Sequence, residues 1–372
     1  MLSEPHKKSP MTRYAKRHIT RAARKTVLYI VVAGLAMIIL FPIFFLISFS
    51  LMSGYEAYYE WPNPLIPKFS AQLKLARTDK GYQLYIYNHA DKEYQAFGQP
   101  DFQDTPKDVK KVIEFIQRQA NSHFSAEALE EQLAVLSQQR EKEVYFSVRK
   151  SLLANYILFF QVTRNSVPAV LRSVYTALST IMISLTIGGL AGFAFARYRF
   201  KGRHWLKLGV LFVRMFPGVA IAIPMVIILG NMGLYDKPVG LSLVYSVTQI
   251  SLTIWITASI FMSIPIELEE AAQIFGTTRL GAFWYVTLPL ALPGLAACAM
   301  YAFIGAWNEA AQAIILTQFN PTFPVVVYEV LVGARGQLNL LTAGSIAQAL
   351  PAVIFTLFIR KYIVHMWGGV KV

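Results

Sequence analysis

The chain is poor in cysteine, in acid and in charge of either sign. Cys298 is the only cysteine among 372 residues, so no intrachain disulfide can form and no thiol pair offers redox chemistry. Charged residues make up 15%, against about 25% in an ordinary soluble domain. Enzyme signatures are missing too. There is no G-x-x-x-x-G-K-[ST] phosphate loop, no H-E-x-x-H, no C-x-x-C and no G-x-S-x-G. The six histidines are scattered: His6, His18, His204 and His365 in basic ends or loops, His89 and His123 in a central polar segment. No pair has metal-ligand spacing, and no metal or catalytic residue is expected. What fills the space is apolar: 55% of the residues are hydrophobic. Disordered chains, disulfide scaffolds and most soluble enzymes are excluded.

The chain carries 35 lysines and arginines against 21 acids, a net charge of +14. Residues 50–169 hold 14 of each sign, so the excess lies in the hydrophobic remainder and its short flanks. A nucleic-acid binder would show a basic face. Basic ends around apolar runs are instead the pattern of a membrane protein with cytoplasmic termini.

Residues 1–26 form a basic tail, followed by an uncharged run from Val27 to Leu51. That run is longer than the h-region of a cleaved signal peptide and long enough to cross a bilayer, so it reads as an uncleaved anchor. Five more spans are expected at Ser173–Ala196, Leu206–Leu234, Pro238–Ile266, Leu280–Asn308 and Gly336–Ile359, despite Pro217, Pro224, Pro293 and Pro351 within them. Gly188, Gly189 and Gly192 offer a face for close helix packing. Six spans from a cytoplasmic tail place 197–207, 263–289 and 365–372 inside. Arg197, Arg199, Lys201, Arg203 and Lys207 agree.

The segment 52–169 then lies outside the cell membrane as a small α+β insertion between the first two spans. Ala71–Arg77, Tyr82–Asn88 and Glu93–Phe97 read as strands, and Pro106–Gln119 and Ala126–Glu143 as helices opened by Thr105 and Ser125. Residues 151–163 are uncharged but too short to span, which fits an interfacial or re-entrant helix. The rest, 170–364, is the bundle core. Arg214 and Glu309 are the ionisable residues expected within spans. Glu309, beside Asn308 and deep in the fifth span, must face the bundle interior or water. All three are candidates for a pore or substrate path.

The loop 263–289 is the most informative stretch. Pro265 can open a short helix, Glu267, Glu269 and Glu270 lie in its first turn where the helix dipole favours acids, and Gly276 falls where a left-handed cap would end it. Glu270-Ala271-Ala272, Gly276 and Leu288-Pro289 match, at the same spacing, the E-A-A-x3-G-x9-I-x-L-P signature. The loop thus resembles that of permease subunits of ATP-binding cassette importers. Val286 replaces the usual Ile, and Phe275 replaces the Asp usual in the carbohydrate branch. Ala194–Arg203, Met215-Phe216-Pro217, Trp307-Asn308-Glu309, Asn155-Tyr156 through Asn165-Ser166 and the tail from Gly368 to Val372 resemble the second permease of maltose-type systems.

The resemblance covers 27–55 and about 150–372. It implies an all-α membrane protein with the six-helix type I importer fold, paired with a second permease, an ATPase dimer and an extracytoplasmic solute-binding protein. ATP and magnesium would belong to the ATPase. Glu270, Ala271, Ala272, Gly276, Leu288 and Pro289 would couple to that ATPase, with Glu270 as polar anchor, and Gly368, Gly369 and Lys371 would reach it from the tail. The expected cargo is a sugar or oligosaccharide. A permease for another solute, a secondary transporter or channel, and a membrane-anchored scaffold are the alternatives. The insertion could brace the binding protein, lengthen the outer vestibule or pack on the partner permease.

Overall fold

In a computed structural model, residues 10–60, 65–99, 101–122, 124–138, 142–163, 165–333 and 338–367 are described. The chain divides into two compact units, Met1–Leu152 and Leu153–Val372.

The first unit opens with helix α1 (Pro10–Leu51). Its apolar side chains from Val27 to Ile47 are exposed almost without interruption. A helix that is apolar on every side and unpacked in water has lipid as its natural solvent. The short α2 (Gly54–Tyr59) starts with a capping box. Ser53 Oγ accepts from the Glu56 amide at 3.3 Å, and Glu56 Oε2 accepts from the Ser53 amide at 2.9 Å.

Strands β1 (Ser70–Thr78), β2 (Gly81–Asn88) and β3 (Glu93–Ala96) follow, then α3 (Pro106–Gln119), α4 (Ala126–Gln138) and β4 (Glu143–Arg149). The sheet is antiparallel in the order β3-β2-β1-β4. Alternation turns Leu73, Leu75, Leu84, Ile86 and Val148 to one side, into a core completed by Val112 and Ile116 of α3 and Leu129 and Leu133 of α4. Thr105 caps α3 ahead of Pro106, as expected. The fourth strand departs from the expected helix: Glu143, expected as its last residue, opens β4. The apolar alternation of Val144, Phe146 and Val148 is the signal for it, and Lys74↔Tyr145 pairing confirms its register on β1.

The second unit is helical. Helix α5 (Ala154–Val162) covers the apolar stretch expected to be interfacial; here Asn155 and Phe159 are fully buried against the bundle. Helix α6 (Ser166–Ile183) runs through a π-turn (Ser184–Gly188) into α7 (Gly189–Arg197) as one long rod. Next come α8 (Arg203–Arg214), α9 (Gly218–Asn231) and α10 (Pro238–Ser263). The expected continuous span over 206–234 is broken: α8 and α9 meet at 90°. Pro217 lacks an N–H and disfavours helical backbone at Phe216, so the helix stops and restarts at Gly218. Pro224, Pro293 and Pro351, by contrast, remain inside helices.

Helices α11 (Glu267–Ile274) and α12 (Arg279–Ala282) form the loop. A second π-turn (Phe283–Thr287) joins α12 to α13 (Leu288–Trp307). Then come α14 (Ala311–Leu316), α15 (Phe323–Gly333) and α16 (Leu338–Trp367). Among the described residues, five helices are long and apolar enough to span a membrane, and the bent α8–α9 pair would make six.

The glycine face packs as its spacing suggests. A Cβ on Gly188 would lie 2.8 Å from Thr253 side-chain atoms, and one on Gly192 would lie 1.9 Å from Thr257 Oγ1. Thr257 Oγ1 also donates to the Gly188 carbonyl at 3.3 Å. Only glycine lets α7 and α10 approach this closely. Gly189 faces more open space.

Candidate functional site

The loop between α10 and α13 builds a site in which a polar anchor points inward and an apolar surface points outward. Helix α11 is short, and its end is determined by local chemistry. The Gly276 amide donates to the Gln273 carbonyl at 3.0 Å, and the Thr277 amide to the Ala272 carbonyl at 3.1 Å. This is the double bond of a left-handed helix cap, with Gly276 at φ +93° as its position requires. Thr278 then restarts the chain, its Oγ1 accepting from the Gly281 amide at 3.0 Å.

The buried acid is Glu269, one residue before the exposed Glu270 of the motif. Glu269 Oε1 accepts from Arg197 Nε at 2.7 Å and from Thr287 Oγ1 at 2.7 Å. Both charged side chains are about nine-tenths buried. Arg197 is the last residue of α7. Its other nitrogens donate to the Phe261 and Ile264 carbonyls at 2.8 and 3.0 Å, the C-terminal end of α10. One guanidinium therefore ties α7, α10 and α11 together, and Thr287 adds the root of α13. A planar fork with five donors can serve these three acceptors at once; an ammonium cannot hold that geometry.

The remaining loop residues lie around this knot. Ala271 and Ala272 are half-buried, Glu270 is exposed, Leu288 is half-buried and Pro289 exposed. Outward, Ile274 is 84% and Phe275 89% exposed, with Leu280, Trp284 and Tyr285 also uncovered. The outward side of the loop is therefore apolar and uncovered. Sequence reasoning missed Glu269, Arg197 and Thr287. The signal was faint: three acids share one helical turn, and only packing distinguishes the buried one.

The path candidates lie at helix breaks. Arg214 is exposed at the end of α8, beside the 90° bend. Glu309 is not deep inside the fifth span: α13 ends at Trp307, with Asn308 as its exposed cap. Glu309 instead accepts from the Gln312 amide at 3.0 Å, satisfying a free donor at the start of α14. Its backbone carbonyl accepts from Tyr245 Oη at 3.4 Å. The two breaks touch each other, since a Cβ on Gly218 would meet Gln312 Nε2 at 2.1 Å. Buried Gln312 Oε1 has no hydrogen-bond partner among the described residues. Gly368, Gly369 and Lys371 lie outside the described residues.

Residues 184–365 match the family described as binding-protein-dependent transport system inner membrane component. The chain is 33% identical over 200 residues to the trehalose transport system permease protein SugB of Mycobacterium tuberculosis, covering 53% of this chain and 73% of that protein. It belongs to that family. The permease is also 31% identical over 220 residues to the trehalose/maltose transport system permease protein MalG of Thermococcus litoralis, covering 58% of this chain and 79% of that protein. Its fold is similar to that of a chain in the crystal structure of a bacterial ABC transporter that imports the acidic polysaccharide alginate, with TM-score 0.53, 17% identity and 92% and 97% of the two chains covered. As a family member, the permease is a multi-pass component of the inner membrane.

Proposed function

We infer that this permease, with a second permease chain, forms the membrane path for a sugar or oligosaccharide, driven by ATP hydrolysis on separate subunits. The observation that carries the reading is the loop: a helix held from within by Glu269 and Arg197, with a bare apolar surface turned outward. Relatives named for transport of trehalose, maltose, arabinooligosaccharides and diacetylchitobiose support a saccharide cargo.

In this reading the chain crosses the membrane six times, with α8–α9 as one broken span. Both termini and the α11 loop lie in the cytoplasm, and the segment 52–169 lies outside. The ATPase receives α11, with Glu270, Ala271, Ala272 and Gly276 at the contact and Leu288 and Pro289 at the root of the next helix. Gly368, Gly369 and Lys371 reach the ATPase from the tail. Nucleotide and magnesium stay on the ATPase, and this chain performs no chemistry. When the ATPase dimer closes, α11 moves, and Arg197 passes that displacement to the ends of α7 and α10. Packed helices respond by switching between discrete arrangements rather than by bending continuously. A solute-binding protein delivers cargo outside. Arg214, Asn308 and Glu309, at the two contacting breaks, line the path. Broken helices expose backbone and polar groups where a membrane path needs them.

The test is purification of the tagged chain from its membrane, with identification of what stays bound, followed by uptake of labelled trehalose and maltooligosaccharides into vesicles. Retention of a second permease and an ATPase, with ATP-dependent uptake, is expected. A stable chain that transports alone would overturn the reading.

A further inference from the structure

The sheet of the first unit has two chemically different faces. Core side chains Leu73, Leu75, Leu84 and Ile86 point one way. The other way point Lys74, Tyr85, Tyr87, Tyr94 and Tyr145, brought together by the pairings Lys74↔Tyr85, Lys74↔Tyr145 and Tyr87↔Tyr94. The rings form a continuous row. His89 meets Tyr87 at 4.8 Å, Tyr87 meets Tyr94 at 5.2 Å, and Tyr94 meets Tyr145 at 5.4 Å, with successive planes steeply inclined. Beneath the row, Lys74 Nζ lies 4.6 Å from the Tyr85 ring centroid and donates to Glu143 Oε1 at 3.0 Å. Tyr145 Oη donates to Glu143 Oε2 at 2.7 Å, while the residue remains 58% exposed. The rings are held in place before any ligand arrives.

We propose that this tyrosine row is a saccharide-binding surface. The proposal rests on the reading of the permease as a sugar importer whose insertion faces outward. A pyranose has a flat C–H face and a rim of hydroxyls. Tyrosine supplies the matching pair, a large apolar ring face and a hydroxyl, and the ring-to-ring spacing is close to the length of one sugar unit in an extended chain. Exposed Gln72 and Ser147 on the same face, with the Glu143 carboxylate, offer hydrogen-bonding groups beside the rings. The face carries no leucine, isoleucine, valine or methionine, the aliphatic filling that a protein partner's core contact would use. An oligosaccharide is therefore the occupant that the chemistry fits. The row would hold cargo on the outer side of the membrane.

The test applies the full-length chain, in detergent, to a printed panel of α- and β-linked gluco-, galacto-, manno-, arabino- and amino-sugar oligosaccharides. The wild-type chain should retain at least one class. Tyr94→Ala with Tyr145→Ala should weaken that retention about tenfold, whereas Tyr94→Phe with Tyr145→Phe, which keeps the rings, should stay close to wild type and shows that the unit still folds. No retention by the wild type, or equal retention by the alanine pair, overturns the proposal. Loss of solute-binding-protein capture with sugar retention intact also overturns it, in favour of a protein dock. Uptake by the assembled importer is measured separately. Uptake of a panel sugar alongside an indifferent tyrosine row sinks the surface alone, and no sugar uptake at all sinks the importer reading.

Discussion

Each unit of the chain contains an ion pair that is almost wholly buried, and the two are built differently. In the first unit Lys150 meets Glu56 with side-chain exposures of 1% and 5%. In the second, Arg197 meets Glu269. The glutamates do similar local work: Glu56 closes the capping box of α2, and Glu269 holds α11. The cations do not. Lys150 is a point charge at the end of β4 whose burial pushes its amine below the usual lysine range, with Glu56 pulling the other way. Arg197 spreads its charge over a fork that also closes two helix-end carbonyls. The first pair fixes one small fold. The second connects four elements, which suits the transmission proposed for it.

The largest effect should follow from Arg197→Ala. It leaves Glu269 buried and uncompensated, which costs about 3–5 kcal/mol locally. Uptake should fall to background while the chain still inserts; wild-type uptake would dismiss the transmission role. Replacing both partners, Arg197→Met with Glu269→Met, sharpens the point. Thermal stability in detergent should recover most of the loss, because an apolar pair can replace a buried ion pair, but ATPase activity should stay uncoupled from transport.

Lys150→Met should lower the melting temperature of the first unit by an amount matching about 3 kcal/mol, since Glu56 loses its buried partner. Restoration of coupling would have nothing to do there, so transport per folded molecule should be unchanged; a specific transport defect would make the two pairs alike after all.

Gly276→Asp should be smaller in stability and larger in function. A side chain at φ +93° costs about 1–2 kcal/mol, and a Cβ there meets no neighbour. The chain should insert normally and fail in coupling, with Gly276→Ala intermediate; normal uptake with normal ATPase stimulation would refute the docking role.

The smallest effect is a pH dependence. Burial raises the Tyr55 phenol from 10.0 to about 12. Its stabilising contribution is complete below pH 10 and is lost as pH rises through 12. Melting curves of wild type and Tyr55→Phe taken over that range should converge toward high pH; parallel curves would show that the phenol titrates alike in the folded and unfolded states.

Much of this was legible because it depends on length and spacing. Val27–Leu51 announces a span by its length alone, and Gly276 announces a cap because so few residues tolerate that backbone. Strands β1 to β3 follow from alternation between clear turns. Strand β4 did not, because Glu141, Lys142 and Glu143 extend a helical-looking charge pattern into it. The break at Pro217 was hidden since Pro224, Pro293 and Pro351 show that proline often stays within a helix here. Whether a helix survives depends on neighbours that satisfy its freed carbonyls, which one sequence does not display. Glu309 was misplaced for the same reason. Glu269 was hidden among three acids on one turn. The tyrosine row needed strand register: Tyr145 on β4 shares a face with Tyr87 and Tyr94 on β2 and β3 because β1 pairs with both β2 and β4.

The glycine contacts of α7 with α10 have a consequence for how motion would look. Two backbones locked at Gly188 and Gly192 against Thr253 and Thr257 cannot slide without collision. They form a girder. Spectroscopic labels placed on either side of that seam should keep a constant separation through the whole transport cycle, even as labels on α8 and α9 change theirs. The elbow at Pro217, rather than the seam, is where the bundle has room to change its shape.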